Sequence, residues 1–397
     1  MYIKSKIKVE NQDEKEASYM YPYFQASPIN LRHFFDAYMA DKLQNFVGRE
    51  YVFNAVNEFI KNNSSGYFII RGDPGIGKTA LLAKMISEHG YIHHFNVALQ
   101  NIRSTRTFLE NICLQLISRY HLPYQTLPQS ATDDSGFFTQ CLSEAAIKQS
   151  NQPIVIAIDA LDEADQTGLA PNVNSLYLPS SLPEGVYVIL TSRRMSDLHL
   201  QVSKSQILDL EADSDGNLQD IKSYINKYLM REKMKTKISA WNINSERFGE
   251  ALVKKSQGNF MYLYYILPAI EEGRFSKGTV DELPDGLLGY YQRHWRQMRE
   301  GNEEEFDKKF QPIVCILGVA QEPITIDQIS AWTNIDKTQV KHAVDKWFEF
   351  LQPVKEDGRA LYRIYHASFQ DFLKEKVDLT RYDGMISDYY LKAANLK

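Results

Sequence analysis

The chain has 397 residues, 44% of them apolar and 24% charged, which is ordinary composition for a globular protein of about two or three domains. Its formal net charge of -5 gives no general reason to expect nucleic acid or an anionic membrane as a partner. The longest apolar run, residues 260–270, is too short to span a bilayer, and the N-terminus has no apolar signal region. The 3 cysteines are too few and too scattered for a disulfide framework or a zinc site. We therefore expect a soluble, cytoplasmic protein without a membrane segment.

The N-terminal segment, residues 1–45, precedes the first clear motif. Residues 1–16 are charged and lack periodicity, which predicts a frayed, partly disordered tail. Residues 19–46 carry aromatic side chains at irregular spacing, and we expect them to pack on the body of the protein. The sequence VGRE at 47–50 then precedes a helix with apolar residues at helical spacing.

The strongest motif lies at residues 66–80, which read GYFIIRGDPGIGKTA. An apolar strand, a glycine-rich turn and a helix start follow one another, and the turn matches the phosphate-loop pattern G-x-x-x-x-G-K-[ST]. Glycines let backbone N–H groups approach phosphate oxygens, and the following helix adds its positive N-terminal end. We expect Lys78 to contact the β- and γ-phosphates of a nucleotide and the Thr79 hydroxyl to ligate Mg²⁺. The expected phosphate-binding residues are Gly72, Asp73, Pro74, Gly75, Ile76, Gly77, Lys78, Thr79 and Ala80.

Strands alternate with helices after the phosphate loop. A strand around 91–98 is followed by helices near 107–120 and 137–148. This alternation predicts a parallel sheet with helices on both faces. His93 and His94 fall within the strand, and we interpret them as structural because no carboxylate or cysteine stands near them in sequence to complete a metal site.

Residues 153–165 read PIVIAIDALDEAD and combine a strand with an acid cluster. The apolar run 154–158 suits a strand buried on both faces, and its carboxyl end lies at the edge where doubly wound sheets bind ligands. Asp159 is therefore the candidate acid that serves Mg²⁺. Asp162 and Glu163 are candidates for positioning or activating the attacking water.

Another buried strand, residues 186–190, is followed by TSRR. An arginine at the carboxyl end of a strand can face the γ-phosphate and report whether it is present. At least one of Arg193 and Arg194 is expected to be a solvated surface residue instead. A strand at 206–210 would finish the sheet, and the polar stretch 211–216 marks a candidate domain boundary.

The remainder of the chain is mostly helical. Helices near 325–333 and 337–351, followed by two extended runs around 357–358, predict the helix, helix and hairpin of a winged helix. In the would-be recognition helix, three lysines are balanced by three acids. This balance favours a packing role over contact with DNA phosphates, so nucleic acid is not the expected partner.

These patterns predict an α/β fold class. A P-loop NTPase parallel sheet with helices on both faces is followed by a helical domain and a winged-helix domain. The expected nucleotide-binding domain covers 46–215, the helical domain covers 216–300, and the winged-helix domain with its C-terminal tail covers 301–397.

Six short motifs occur together in order along the chain. They are VGRE at 47–50, GDPGIGKT at 72–79, IVIAIDALDEAD at 154–165, LTSRR at 190–194, SQGNF at 256–260 and YHASFQDFL at 365–373. This set resembles the STAND NTPases, the signal-transduction ATPases with numerous domains. The resemblance is strongest to the NACHT branch, which includes fungal incompatibility and bacterial defence proteins.

The resemblance implies roles for residues of the nucleotide-binding domain. Val47 and Arg49 would lie beside the adenine. Asp159 would serve the Mg²⁺, and Asp162 and Glu163 would form the acid pair of the family.

Two further positions match motifs that report on the nucleotide. Arg193 matches the arginine of the family's sensor motif. His366 matches a winged-helix histidine that, in relatives, contacts the β-phosphate of bound ADP and locks the closed state. A donating imidazole would tie the winged helix to the nucleotide-binding domain. Related apoptotic and plant proteins have G-L-P where this chain has Gly258-Asn259-Phe260, so the proline that contacts adenine there is replaced here.

The resemblance implies an ATP-dependent switch that is closed with ADP, opened by exchange to ATP and reset by slow hydrolysis. It also implies a nucleotide-dependent homo-oligomer in defence or regulated cell death. Family members usually carry an effector domain and a repeat domain that senses a ligand, but we find no internal repeat with a period of about 20 to 50 residues. The resemblance therefore implies either a trimmed core, with effector or sensor domains or proteins beyond this chain, or a minimal switch. One alternative is an AAA+ initiator- or loader-like ATPase that uses its winged helix on DNA. The other is a small-molecule P-loop kinase, which needs an acceptor pocket and an arginine-bearing lid that the sequence does not reveal.

Overall fold

The computed structural model describes residues 28–149, 152–167, 169–170, 173–194, 198–275, 283–356 and 358–395. The frayed tail predicted at residues 1–16 lies outside this range.

A parallel sheet of five strands, in the order β2-β3-β4-β1-β5, organises the first half of the described chain. Its strands are β1 (Gly66–Gly72), β2 (Ile92–Phe95), β3 (Ile154–Asp159), β4 (Val186–Ser192) and β5 (Ser205–Leu210). Ile69 lies opposite Leu190 between β1 and β4, and Ile156 lies opposite Val188 between β3 and β4. β5 pairs with β1 at the edge, so the last predicted strand finishes the sheet as expected.

Helices cover both faces of the sheet because successive strand residues point to opposite sides. In β1, Tyr67 and Ile69 belong to one buried cluster, whereas Phe68 and Ile70 belong to the other. The first face is covered by α4 (Thr105–Tyr120) and α5 (Gly136–Lys148). The second face is covered by α1 (Pro28–Leu43), α2 (Glu50–Asn62) and α3 (Lys78–His89).

The aromatic side chains of α1 pack on the sheet, as the sequence predicts. Phe35 is 1% exposed, and its ring lies 5.2 Å from that of Phe95 at the end of β2. The Tyr38 ring lies 5.3 Å from the same phenylalanine. The C-terminal end of α1 is therefore held near the carboxyl ends of the central strands, where the site lies.

In the described part of the chain, five helices lie between β5 and the C-terminal module. They are α6 (Asp215–Leu229), α7 (Glu232–Trp241), α8 (Ser245–Ser256), α9 (Phe260–Glu271) and α10 (Gly286–Arg299). The apolar helix α9 is the central member, and the Asn259 side chain caps it by accepting a hydrogen bond from the Tyr262 backbone N–H at 3.2 Å.

The C-terminal module begins after a short turn at Glu303–Glu305 and a π-helical turn at Phe306–Phe310. It comprises α11 (Gln311–Val319), β6 (Ile324–Thr325), α12 (Ile326–Thr333), α13 (Lys337–Trp347), β7 (Leu351–Glu356), β8 (Arg359–Ile364), α14 (Ala367–Lys376) and α15 (Thr380–Asn395). Its strands form an antiparallel sheet in the order β6-β8-β7. Helix, strand, two helices and hairpin are the connectivity of a winged helix. The fold class is therefore the one predicted from the sequence.

One helix boundary differs from the prediction. Helix α13 ends at Trp347 rather than near Leu351, because Phe348–Phe350 forms a 3₁₀ turn that buries Phe350. Leu351 then pairs with Ile364 in the antiparallel ladder.

The helical region and the C-terminal module share one apolar core. The Tyr291 ring of α10 lies 5.1 Å from that of Phe369 in α14. The boundaries at 215 and 300 stay predictions. None of the described helices has the length and apolar character needed to cross a bilayer.

Candidate functional site

The phosphate loop joins β1 to α3 at the carboxyl edge of the sheet. Gly75 and Gly77 adopt φ values of 83° and 98°, the left-handed region that favours glycine. A Cβ on Gly75 would lie 2.6 Å from the Asn259 Oδ1 atom, so the close approach of this neighbour also requires glycine. Lys78 Nζ donates to the carbonyl oxygens of Gly72 at 2.7 Å and Asp73 at 3.1 Å. The loop thus has the local structure that its motif predicts.

A hydroxyl and a buried carboxylate meet beside the start of α3. Thr79 Oγ1 donates to Asp159 Oδ2 at 2.8 Å, and Thr191 Oγ1 donates to Asp159 Oδ1 at 2.6 Å. Asp159 is 1% exposed, and burial raises its pKa while the two hydroxyl hydrogen bonds oppose the rise. A divalent cation would offset the cost of this buried charge, and oxygen ligands suit Mg²⁺. Thr79 and Asp159 therefore fit the metal-binding role predicted for them.

The two acids after β3 have different surroundings. They lie in a 3₁₀ turn, Leu161–Glu163. Asp162 Oδ1 accepts from the Arg193 backbone N–H at 3.1 Å, and its Oδ2 lies 3.2 Å from Arg193 Nε. Glu163 Oε2 accepts from the Ala98 backbone N–H at 2.9 Å, and burial, with the charges of Asp162 and Asp159, raises the pKa of Glu163 to about 7. A carboxyl group that titrates near neutral pH is suited to general-base chemistry.

The two arginines after β4 have separate partners. Arg193 lines the cavity beside the phosphate loop and also pairs with Asp371 of α14 at 2.7 Å. Arg194 Nη1 lies 2.6 Å from Glu211 Oε2. The two side chains thus have different roles in the structure, and Arg193 is the one that faces the site.

His366 caps α14 and lines the same cavity as Lys78, although 288 positions separate them in the chain. Its Nδ1 accepts from the Ser368 backbone N–H at 3.2 Å, which leaves Nε2 as the nitrogen that carries the proton. Burial, with the charges of Lys42, Lys78 and Arg193, lowers the pKa of His366 to about 3. The imidazole is therefore a neutral donor near pH 7.

Val47 and Arg49 lie on the cavity wall, where the resemblance places the adenine. Arg49 is 2% exposed, with its Nη1 donating to the Tyr51 hydroxyl at 2.7 Å and its Nη2 to the Ile76 carbonyl at 2.5 Å. Its Nε lies 3.6 Å from Asp220 Oδ2 on α6. The guanidinium therefore links the VGRE motif to the phosphate loop and to the helical region.

The segment that replaces G-L-P contacts the phosphate loop directly. The backbone N–H groups of Phe260 and Met261 both donate to the Gly75 carbonyl at 3.1 Å. Asn259 Nδ2 donates to the Pro74 carbonyl at 2.9 Å. These hydrogen bonds couple the start of α9 to the phosphate loop.

Sequence reasoning missed several cavity residues. Tyr38 and Lys42 of α1, Tyr224 of α6 and Arg363 of β8 line the cavity, and Asn96 reaches it from the end of β2. Asn96 Nδ2 donates to the Asp159 backbone carbonyl at 2.8 Å. None belongs to a local motif, so only the tertiary fold brings them to the site.

A phosphate loop between β1 and α3, with an acid at the end of a central strand, defines a P-loop NTPase fold. Comparison with known proteins agrees with this class. Residues 53–193 match the family described as Nephrocystin 3, N-terminal. The chain is 26% identical over 178 residues to NACHT and WD repeat domain-containing protein 2 of Mus musculus, covering 41% of this chain and 10% of that protein. It is 26% identical over 189 residues to the human NACHT domain- and WD repeat-containing protein 1, covering 44% and 12%.

Among solved structures, the chain is similar to a Signal Transduction ATPase with Numerous Domains (STAND) protein with a tetratricopeptide repeat sensor from Pyrococcus horikoshii. The TM-score is 0.44 at 18% identity, covering 88% of this chain and 45% of that one. The family match and the NACHT-domain relatives confirm the STAND/NACHT-type fold that the sequence motifs indicate. The matched region spans about a tenth of the length of the curated relatives.

Proposed function

We propose that the chain is an ATP-dependent molecular switch, closed with ADP, opened by exchange to ATP and reset by slow hydrolysis. The observation that carries the proposal is the shared cavity. Lys78 of the phosphate loop and His366 of the C-terminal module line it together. A nucleotide bound there would contact both modules, so its phosphates would influence whether they stay together.

The residues divide into binding and hydrolytic roles. The loop N–H groups and Lys78 would bind the β- and γ-phosphates. Thr79 and Asp159 would hold Mg²⁺, which would neutralise phosphate charge. Glu163, with a pKa near neutrality, would accept a proton from the attacking water. Asp162 would keep Arg193 near the terminal phosphate through their ion pair.

Slow hydrolysis is consistent with the arginine's partners. The Arg193 guanidinium is already engaged by Asp162 and Asp371. To stabilise charge on a transferring phosphoryl group, it must exchange at least part of this pairing. The closed arrangement therefore favours nucleotide retention over turnover.

Opening would expose surfaces that the closed form covers, and we propose homo-oligomerisation with ATP as the output. The names of the two NACHT-domain relatives include WD repeats, and we propose sensor or effector domains outside the matched region. A cytoplasmic location is supported by Cys113, Cys141 and Cys315, which are all free thiols. Defence or regulated cell death is the setting that the family resemblance supports.

The proposal is tested by identifying the nucleotide that remains bound when the protein is purified without added ligand. We expect ADP at near-stoichiometric amounts, identified by chromatography after denaturation. Light scattering should then report larger particles after exchange to ATPγS. Protein that neither carries nor binds an adenine nucleotide would contradict the proposal.

The DNA-directed AAA+ alternative receives less support. In α13, Lys337 is already paired at 2.5 Å with Asp327 of α12. Salt-sensitive duplex binding that is lost on Lys341→Glu would favour that alternative.

A further inference from the structure

Two cationic side chains that belong to none of the sequence motifs line the cavity. Lys42 lies at the C-terminal end of α1 and Arg363 lies in β8, and both line the cavity with the phosphate loop. We call these two residues the cationic pair. Lys42 Nζ donates to the hydroxyl of Tyr365 at 3.1 Å, which joins α1 to the end of β8.

Arg363 is a buried cation with a neutral partner. It is 7% exposed, and its Nε and Nη2 donate to Gln352 Oε1 at 3.1 and 2.5 Å. Burial lowers the pKa of Arg363 to about 10, so the guanidinium is still charged at neutral pH. The charge of Asp41 opposes this lowering, but the hydrogen-bond partner of the buried guanidinium is a neutral amide, and a bound anion would offset the cost of burying the charge.

Lys42 contributes a second charge to the same region. Its Nζ lies 3.1 Å from Asp41 Oδ2, which also accepts from the Tyr365 hydroxyl at 3.2 Å. Burial lowers the pKa of Lys42, Asp41 opposes this, and the charge of Arg363 lowers it further. One carboxylate thus faces two cations, and the pair keeps an excess of positive charge.

The cationic pair shares the cavity with the acids that follow β3. Tyr38, Asp159 and Glu163 line it together with Lys42 and Arg363. The pKa of Tyr38 responds to both groups, because burial raises it, the charges of Asp159 and Glu163 raise it further, and Arg363 lowers it. A phosphate in this cavity would therefore meet both the residues that would hold Mg²⁺ and the two cations.

We propose that Lys42 and Arg363 bind a phosphate group beyond those held by the phosphate loop. The group is orthophosphate beside a bound diphosphate, because the terminal phosphate of a triphosphate is assigned to the loop and Lys78. A guanidinium presents paired N–H donors that match phosphate oxygens, and the ammonium adds a point charge. This inference rests on the proposed nucleotide binding and names a further part of that site.

Phosphate at this position would join α1 to β8. Because these elements belong to the two ends of the described chain, the bound anion would stabilise the closed arrangement. Loss of the anion would leave Asp41 as the carboxylate that faces both cations. The site would thus couple the proposed reset to the presence of the cleaved phosphate.

The test measures binding of MgADP, MgATPγS and MgADP with millimolar inorganic phosphate to the full chain by calorimetry. In the wild type, phosphate strengthens ADP binding, and MgATPγS is the control for an intact phosphate loop. We expect Arg363→Gln and Lys42→Met each to reduce that strengthening by about tenfold or more while ATPγS still binds. Arg359→Gln in β8 and Arg32→Gln in α1 are exposed matched controls and should keep it.

Thermal unfolding establishes that each variant is folded. The inference is overturned if phosphate does not strengthen ADP binding to the wild type, if both variants keep the wild-type strengthening within about twofold, or if ADP weakens by the same factor with and without phosphate. Equal weakening would mean that the cationic pair only supports the closed cavity. Failure of the wild type to bind any of the probes would instead overturn the proposed function, so the two failures are distinguishable.

Discussion

Arg193 Nη1 lies 2.7 Å from Asp371 Oδ2, which joins the arginine after β4 to a carboxylate of α14. The same guanidinium lies 3.2 Å from Asp162 through its Nε. One charge is therefore shared between an acid of the nucleotide site and an acid of the C-terminal module. A γ-phosphate would compete with both carboxylates for that charge, so its arrival would weaken the link between modules.

Asp371→Asn should loosen the closed arrangement. The pair is partly exposed, 31% at Arg193 and 35% at Asp371, so its contribution to folding stability is at most about 1 kcal/mol. The expected result is ADP release a few times faster than in the wild type, measured by stopped flow with a fluorescent ADP. Glu375→Gln, exposed on the same helix, is the control and should leave release unchanged. Equal off-rates for Asp371→Asn and the control would show that the ion pair is incidental.

Lys78→Ala should abolish nucleotide binding while the fold remains intact. Burial lowers the pKa of Lys78, and the carboxylates of Asp162 and Asp159 oppose this, so the ammonium is costly to keep without a ligand. Removing it takes little from the apolar core and removes the point charge for the phosphates. Calorimetry with ATP and thermal unfolding measure the two effects. Unchanged ATP affinity would refute the site assignment.

The sequence predicted the parts of the site that depend on local pattern. The phosphate loop and Asp159 follow directly from strand and turn motifs, because each motif contains its own structural context. His366 was found only through the family resemblance. Lys42, Arg363 and Asp371 were not predicted as site residues, because each lies in an ordinary helix or strand and reaches the cavity only through tertiary packing.

Substitutions of the acid pair should affect hydrolysis more than binding. Glu163→Gln and Asp162→Asn are expected to bind ATP but hydrolyse it at least about tenfold more slowly, because Glu163 would act on the attacking water and Asp162 would position Arg193, and both effects belong to the transition state. Asp159→Asn should instead weaken Mg²⁺-dependent binding. With a Glu163 pKa of about 7, the wild-type rate should rise as pH increases through neutrality, and Glu163→Gln should lose that rise. Single-turnover assays measure the rates, and wild-type turnover by both variants would rule out these roles.

The same carboxyl group predicts a pH dependence of the free energy of unfolding. Its pKa is raised from 4.5 to about 7 in the folded protein, so the native state holds the proton more tightly than the unfolded state. Stability is therefore lost as pH rises from about 4.5 to 7, by up to about 3 kcal/mol from this group. Glu163→Gln should remove that contribution and be more stable than the wild type at pH 8. Urea unfolding of both proteins across this pH range tests the prediction. If the free energies of unfolding of the wild type and of Glu163→Gln change in parallel with pH, the prediction is wrong.

The last prediction concerns the histidine of the C-terminal module. His366→Leu should destabilise the ADP-bound closed state, because the variant loses the neutral imidazole donor that lines the cavity with Lys78. Losing one hydrogen bond to phosphate costs about 1 to 3 kcal/mol, which raises a small open fraction by about one to two orders of magnitude. In the protein without nucleotide the pKa of His366 is about 3, so the imidazole is neutral near pH 7 and can donate to phosphate. The variant should release fluorescent ADP faster, expand in solution scattering and self-associate more readily with ATP.

The matched control is His342→Leu, which replaces an exposed histidine on α13. An ADP off-rate for His366→Leu equal to that of the control would mean that His366 only caps α14.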